Sequence, residues 1–138
     1  MITDKLLTFA DQKPLTANSV TQEIDLGGNG IEIARTMNLV VQLDQATGTH
    51  DNLWFQATLQ GVVPDDDANA WVDLAVYKKV KYSNVKKNGE RIVNFEKLPL
   101  VKASKLRIKI DASVTSGSTD ISGLGIVMSA FLTPSVEA

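Results

Sequence analysis

The run Gly123–Leu132, G-L-G-I-V-M-S-A-F-L, constrains the fold of this chain more than any other stretch. It carries no charge and places apolar side chains on both parities: Leu124, Ile126, Met128, Ala130 and Leu132 on one, Val127 and Phe131 on the other. A short, two-sided apolar run between turn signals reads as a strand covered on both faces. Ser116-Gly117-Ser118 and Ser122-Gly123 supply the upstream signals, and Pro134 the downstream one. Other segments must then provide the cover.

Those segments alternate. Val20–Leu26 sets Val20, Ile24 and Leu26 against Thr21, Glu23 and Asp25, and runs into the flexible turn Gly27-Gly28-Asn29-Gly30. Leu39–Leu43 is a second alternator, followed by a polar loop over Asp44–Asn52. The clearest case puts Leu53, Phe55, Ala57 and Leu59 inward and Trp54, Gln56, Thr58 and Gln60 outward, with Gly61 closing the strand. Trp71–Lys81 resumes strand character, with Val72, Leu74 and Val76 on a parity that continues to Lys78. Leu106, Ile108 and Ile110 alternate with Arg107, Lys109 and Asp111. Leu6–Phe9 reads as a short strand, and Gln12–Ser19 as a connection, since Pro14 cannot serve an interior ladder. Asn88-Gly89 predicts a type I′ hairpin between Tyr82–Lys87 and Glu90–Phe95. No window sustains a helical period. About eight strands between turn signals predict an all-β fold. The crossing loops near 44–52 and 62–70 favour a two-sheet jelly-roll sandwich forming one domain over residues 1–138.

Composition narrows the chemistry. A net charge of -2 gives no global pull toward nucleic acid or anionic membrane. With no cysteine, disulfides, thiolate zinc sites and cysteine nucleophiles are excluded together. Asp4, Lys5 and Asp11 interrupt the apolar core that a signal peptide needs, and the uncharged run Ile121–Val136 is too short to span a bilayer. The chain reads as a soluble protein that is not exported by that route.

No motif specifies a reaction. His50 is the only histidine, in a polar loop, and no G-x-S-x-G turn accompanies it, so a catalytic triad is rejected. Asp65, Asp67 and Asn69 match the first ligand positions of an EF-hand loop, but Ala70 stands where the turn needs Gly and Val76 where Glu should be. A solvated acidic loop is the expectation there, with a weak calcium site as the alternative. Lys78, Lys79, Lys81, Lys86, Lys87 and Arg91 gather positive charge around the proposed hairpin, beside Tyr77 and Tyr82. Solvation of an exposed edge ranks first for them, docking on an acidic protein second, and nucleic acid third. Trp54 and Trp71 suit a protein interface or a stacked sugar, or burial under a loop.

Five stretches in matching order carry a resemblance. They are D-K-L-L-T-F-A-D-Q-K-P-L-T-A (Asp4–Ala17), S-V-T-Q-E-I-D-L-G (Ser19–Gly27), L-W-F-Q-A-T-L-Q-G (Leu53–Gly61), K-L-R-I-K-I (Lys105–Ile110) and G-I-V-M-S-A-F-L (Gly125–Leu132). Together they resemble the capsid cement, or decoration, proteins of short-tailed bacteriophages. Val62–Pro99 departs from that pattern. The resemblance implies a jelly-roll protein on the outer surface of an icosahedral virion head, made in the host cytoplasm, gripping subunits of the major capsid protein. It implies no enzymatic activity and no cofactor, and for a chain like this family a dimer is expected, with a trimer second; from the residues themselves no metal, nucleic acid, membrane or small-molecule substrate is expected. Leu6, Leu7 and Phe9 could dock on a neighbour's sheet edge, or form an ordinary edge strand of the same domain; the basic cluster is the second gripping candidate. A carbohydrate-binding jelly-roll module, a tail or baseplate structural protein and, last, a hydrolase are the competing readings.

Overall fold

The computed structural model describes residues 8–27, 30–32, 37–50, 52–64, 70–88, 91–99, 101–115 and 121–134. The predicted centre holds. Strand β12 (Val127–Pro134) lies between β1 (Thr8–Pro14) and β5 (Met37–Gln45), and β9 (Val93–Lys97) completes the first sheet in the order β1-β12-β5-β9. Its inner face turns Phe9, Leu39, Val41, Val93, Met128, Ala130 and Leu132 into the core. On its outer face Val40 and Phe131 are register partners, and both are buried.

The second sheet is built on β6 (Leu53–Val62) and β11 (Lys105–Val114), which pair from Lys105↔Val62 to Val114↔Leu53 without a break. The alternation of both is borne out: Leu53, Phe55, Ala57 and Leu59 oppose the first sheet together with Leu106, Ile108, Ile110 and Ala112. Each edge of this sheet is a broken strand. β2 (Ser19–Val20) and β3 (Ile24–Asp25) both run along β11, and β7 (Val72–Val76) and β8 (Val80–Lys81) both run along β6. At each break a side chain stands in for a ladder group. Ile108 N–H donates to Thr21 Oγ1 at 2.9 Å, and Gln56 Nε2 donates to the Tyr77 carbonyl at 2.9 Å. Counting each broken edge once, the order is β2/β3-β11-β6-β7/β8, every pairing is antiparallel, and the eight positions interleave as two Greek keys. This is the jelly roll that the strand pattern predicts. A short ladder of β4 (Ile31–Glu32) with β10 (Lys102–Ala103) is added beside it.

Several local expectations fail for physical reasons. No hairpin forms at Tyr82–Lys87: those residues belong to helix α1 (Tyr82–Asn88). Tyr82 and Val85 are three apart, and both are buried, so one turn of helix suffices to sink both into the core. Pro14 is not in a connection but pairs with Val127 at the end of β1, an edge position where its missing N–H costs nothing. Gly61 lies inside β6 and does not close it. A Cβ there would stand 2.5 Å from Leu74 Cδ1 and 3.0 Å from the Lys105 carbonyl oxygen, so a bare backbone lets the neighbouring groups close in. Leu74 sits at a bulge where the register with β6 shifts; beyond it Val76 points to solvent, and the even parity assigned to Val72, Leu74 and Val76 is lost. The strand expected over Gly123–Leu132 begins only at Val127, after a 3-10 turn over Ser122–Leu124.

Candidate functional site

The basic residues are brought together only in part. Lys78 and Lys79 are exposed in the connection between β7 and β8, and Lys81, half-buried, ends β8 opposite Trp54. Lys86 and Lys87 belong to α1 and not to the arm of a hairpin. Arg91 does not join it. Its Nε donates to Gln42 Oε1 and its Nη1 to Asn94 Oδ1, both at 3.3 Å, over the outer face of the first sheet. Phe9, proposed to dock on a neighbour, is a core residue and is not displayed. The edge-strand alternative describes Thr8–Pro14, while Leu6 and Leu7 lie outside the described residues. So do Asp65, Asp67 and Asn69. Among the described residues no three His, Cys, Asp or Glu converge.

Sequence reasoning missed the recess beside Arg91. Thr8, Ala10, Asp11 and Gln12 of β1, Gln42 and Asp44 of β5, Ser129 and Phe131 of β12, and Arg91 line an open hollow of about 330 Å³. Its origin is local. The register of β1 with β12 slips twice between Thr8 and Lys13, and Gln12 takes a positive φ of 49° there. The Gln12 N–H, lifted out of the ladder, donates to Ser129 Oγ at 3.0 Å. Ser129 Oγ in turn donates to Asp44 Oδ2, and Gln42 Nε2 donates to Asp44 Oδ1 at 3.0 Å. The chain of bonds ties three strands together. His50 is not among the lining residues, and the group that Ser129 Oγ faces there is the Asp44 carboxylate. His50 itself accepts at Nδ1 from the Asn52 N–H in its own loop.

The second sheet's outer face carries a different constellation. The Arg107 guanidinium lies 4.1 Å from the centre of the Trp71 ring, and its Nε donates to Gln60 Oε1 at 2.9 Å. Gln60 Nε2 donates to Asp73 Oδ1 at 2.8 Å. Trp71, for which the sequence suggests an interface, a stacked sugar or burial under a loop, thus carries a cation on its ring face. Trp54 keeps the outward parity predicted for it.

Two tyrosines mark the side of the sandwich where β7, β8 and β9 lie. Tyr82 donates its hydroxyl to the Gly48 carbonyl at 2.9 Å and meets Phe55 edge-on, with ring centres 5.8 Å apart; its burial raises its pKa. The buried Tyr77 hydroxyl has no hydrogen-bond partner. Burial first, and the Glu96 carboxylate on β9 second, push Tyr77 up to about 12.

Strand order and packing together define an eight-position antiparallel jelly roll. No protein-family model and no curated protein matches the chain.

Proposed function

We propose that this chain is a capsid cement protein that binds the outer surface of an icosahedral phage head and braces contacts between major capsid protein subunits, without catalysis or cofactor. One observation carries the reading: the five stretches that resemble that family fall, in order, on β1, on β2 and β3, on β6, on β11 and on β12. These strands are neighbours in each sheet, β1-β12 in one and β2/β3-β11-β6 in the other. The stretch that departs from the family, Val62–Pro99, supplies β7, β8, α1 and β9, the edge strand of both sheets on one side of the sandwich. A shared scaffold with one divergent edge is what binding to a shell of different sequence would leave. The divergent edge displays Lys78 and Lys79. A protein that binds only the expanded lattice stabilises it by mass action, and contacts to two subunits at once add avidity.

Purified protein added to undecorated heads should bind them and raise the temperature at which they release DNA. Heads that saturate with protein yet release DNA at the same temperature would sink the reading. The Trp71–Arg107 pair, flanked by Gln60 and Asp73, supports a second one, a glycan-binding module, because an aromatic ring beside amide and carboxylate groups suits a sugar. Saturable binding on a glycan array would favour it.

A further inference from the structure

Lys105, Arg107 and Lys109 alternate along β11 on the outer face of the second sheet, and among the described residues the middle one alone lacks an anion. Lys105 stands opposite Asp25 on β3, with its Nζ 4.0 Å from Glu23 Oε2, and Lys109 Nζ lies 3.7 Å from Asp111 Oδ2. Arg107 has neutral partners. Its Nε donates to Gln60 Oε1 at 2.9 Å, and its guanidinium lies 4.1 Å from the centre of the Trp71 ring. Asp73, the carboxylate next along that row, accepts from Gln60 Nε2 and forms no ion pair with Arg107. Lys81, a further cation of the face, opposes Trp54 at the far end of β6. Both Nη groups of Arg107 are thus without a hydrogen bond or ion pair among the described residues. Ring and amide fix the guanidinium, and Asp73 fixes the amide. A cation held this way meets an oxyanion at little further cost in side-chain entropy.

We infer that Arg107, laid on Trp71, anchors a docking surface for a protein partner that presents an aspartate or glutamate side chain. The two Nη groups form a planar fork that matches the two oxygens of one carboxylate. The indole covers one face of the cation and keeps part of its water away, which strengthens that pair. The surroundings choose a protein over a polyanion. A nucleic-acid backbone neutralises a run of cations, and here Lys105 and Lys109 already have carboxylates beside them. Val20 and Val76, 46% and 59% exposed, are the exposed large apolar side chains among the described residues. They stand in the next row, opposite Lys109 and Thr58. Thr58 is buried and adds no contact of its own there. Trp and Arg beside apolar side chains are what protein interfaces enrich. A partner that sets one carboxylate among apolar groups therefore fits this face.

A library of short random peptides, selected on the full chain with no shell present, is the probe, so its failure leaves the cement reading standing. Selection should enrich peptides that carry an aspartate or glutamate beside apolar residues. Changing that carboxylate to its amide, or Arg107→Lys in the chain, should each weaken binding about tenfold or more, since lysine keeps the charge but loses the planar fork. Made together, the two changes should cost no more than either alone, because they break one contact. Losses that simply add put the carboxylate elsewhere and overturn the inference. Lys105→Ala and Lys109→Ala should each cost less than Arg107→Lys; an equal loss from all three means that no particular cation is read, and overturns it too. Should Arg107→Lys lose the β-rich circular dichroism of the parent, Trp71→Leu serves. It keeps the guanidinium, removes the ring against it, and should weaken the carboxylate peptides while leaving their amide twins unchanged. Selection that enriches no peptide, or only peptides without a carboxylate, overturns the inference, as does a face that takes only neutral glycans or single-stranded DNA.

Discussion

Two tyrosine hydroxyls on the same side of the sandwich should answer opposite ways to the same deletion. Tyr82 gives its hydroxyl to the Gly48 carbonyl, so Tyr82→Phe should cost about 1–2 kcal/mol in urea unfolding. The buried Tyr77 hydroxyl has no partner, so Tyr77→Phe should be neutral or stabilising in the same assay. Their pH dependence follows from the same surroundings. Tyr77 rises from 10.0 to about 12 on folding, so the folded chain keeps a proton that the unfolded chain releases first. That contribution is complete below pH 10.0 and is lost as the pH climbs through about 12. Melting temperature should therefore fall over this interval, and fall less steeply in Tyr77→Phe; Tyr82, also raised, leaves part of the slope in place. Ser129 is the residue on which the recess turns. Ser129→Ala removes the acceptor of the Gln12 N–H and a donor to Asp44 in one step, and should cost about 1–3 kcal/mol by chemical denaturation.

At the scale of elements, what could be read from sequence divides by the kind of signal involved. β6 and β11 were legible because a strand with one face in the core and one in solvent must alternate, and β11 does so in sequence over Lys105–Val114 and β6 over Leu53–Gln60. Helix α1 was not, because its whole signal is Tyr82 and Val85 three apart, drowned by an Asn-Gly pair that reads as a hairpin turn. The broken edges were misread as continuous strands, because a Thr hydroxyl or Gln amide replacing a backbone group leaves no mark on hydrophobic period. The recess was invisible for a related reason. Asp11, Asp44, Arg91 and Ser129 come from four separate segments that only strand pairing and the bulged register of β1 with β12 bring to one hollow. Gly61 shows the same limit within one strand: it looked like a terminator and is a contact. Gly61→Ala should destabilise by about 1–3 kcal/mol in thermal or urea melts, since Leu74 can rotate away but the Lys105 carbonyl, a ladder group, cannot.

For the whole molecule, the jelly roll separates surfaces that one chain could otherwise confuse. The basic patch sits at the β7–β8 edge, the recess covers the outer face of the first sheet, and the Trp71–Arg107–Gln60–Asp73 contacts lie on the outer face of the second. On the proposed cement reading such separation matters, because a face occupied by one partner cannot also hold the shell. If the patch grips the shell, its cations act mainly through long-range attraction, and salt should expose them. Lys78→Ala, Lys79→Ala and Lys81→Ala combined should weaken binding to undecorated heads about tenfold near 0.05 M salt, and the gap should close toward 1 M, where the Debye length shrinks to about 3 Å. Arg91→Ala is the internal control. It removes one positive charge too, but from a side chain already engaged with Gln42 and Asn94 over a different sheet, so it should lower melting temperature and leave the salt slope of head binding unchanged. A loss from Arg91→Ala about a third as large in free energy as that of the triple change, one charge against three, would mean that net charge alone is read, and that no particular edge faces the shell.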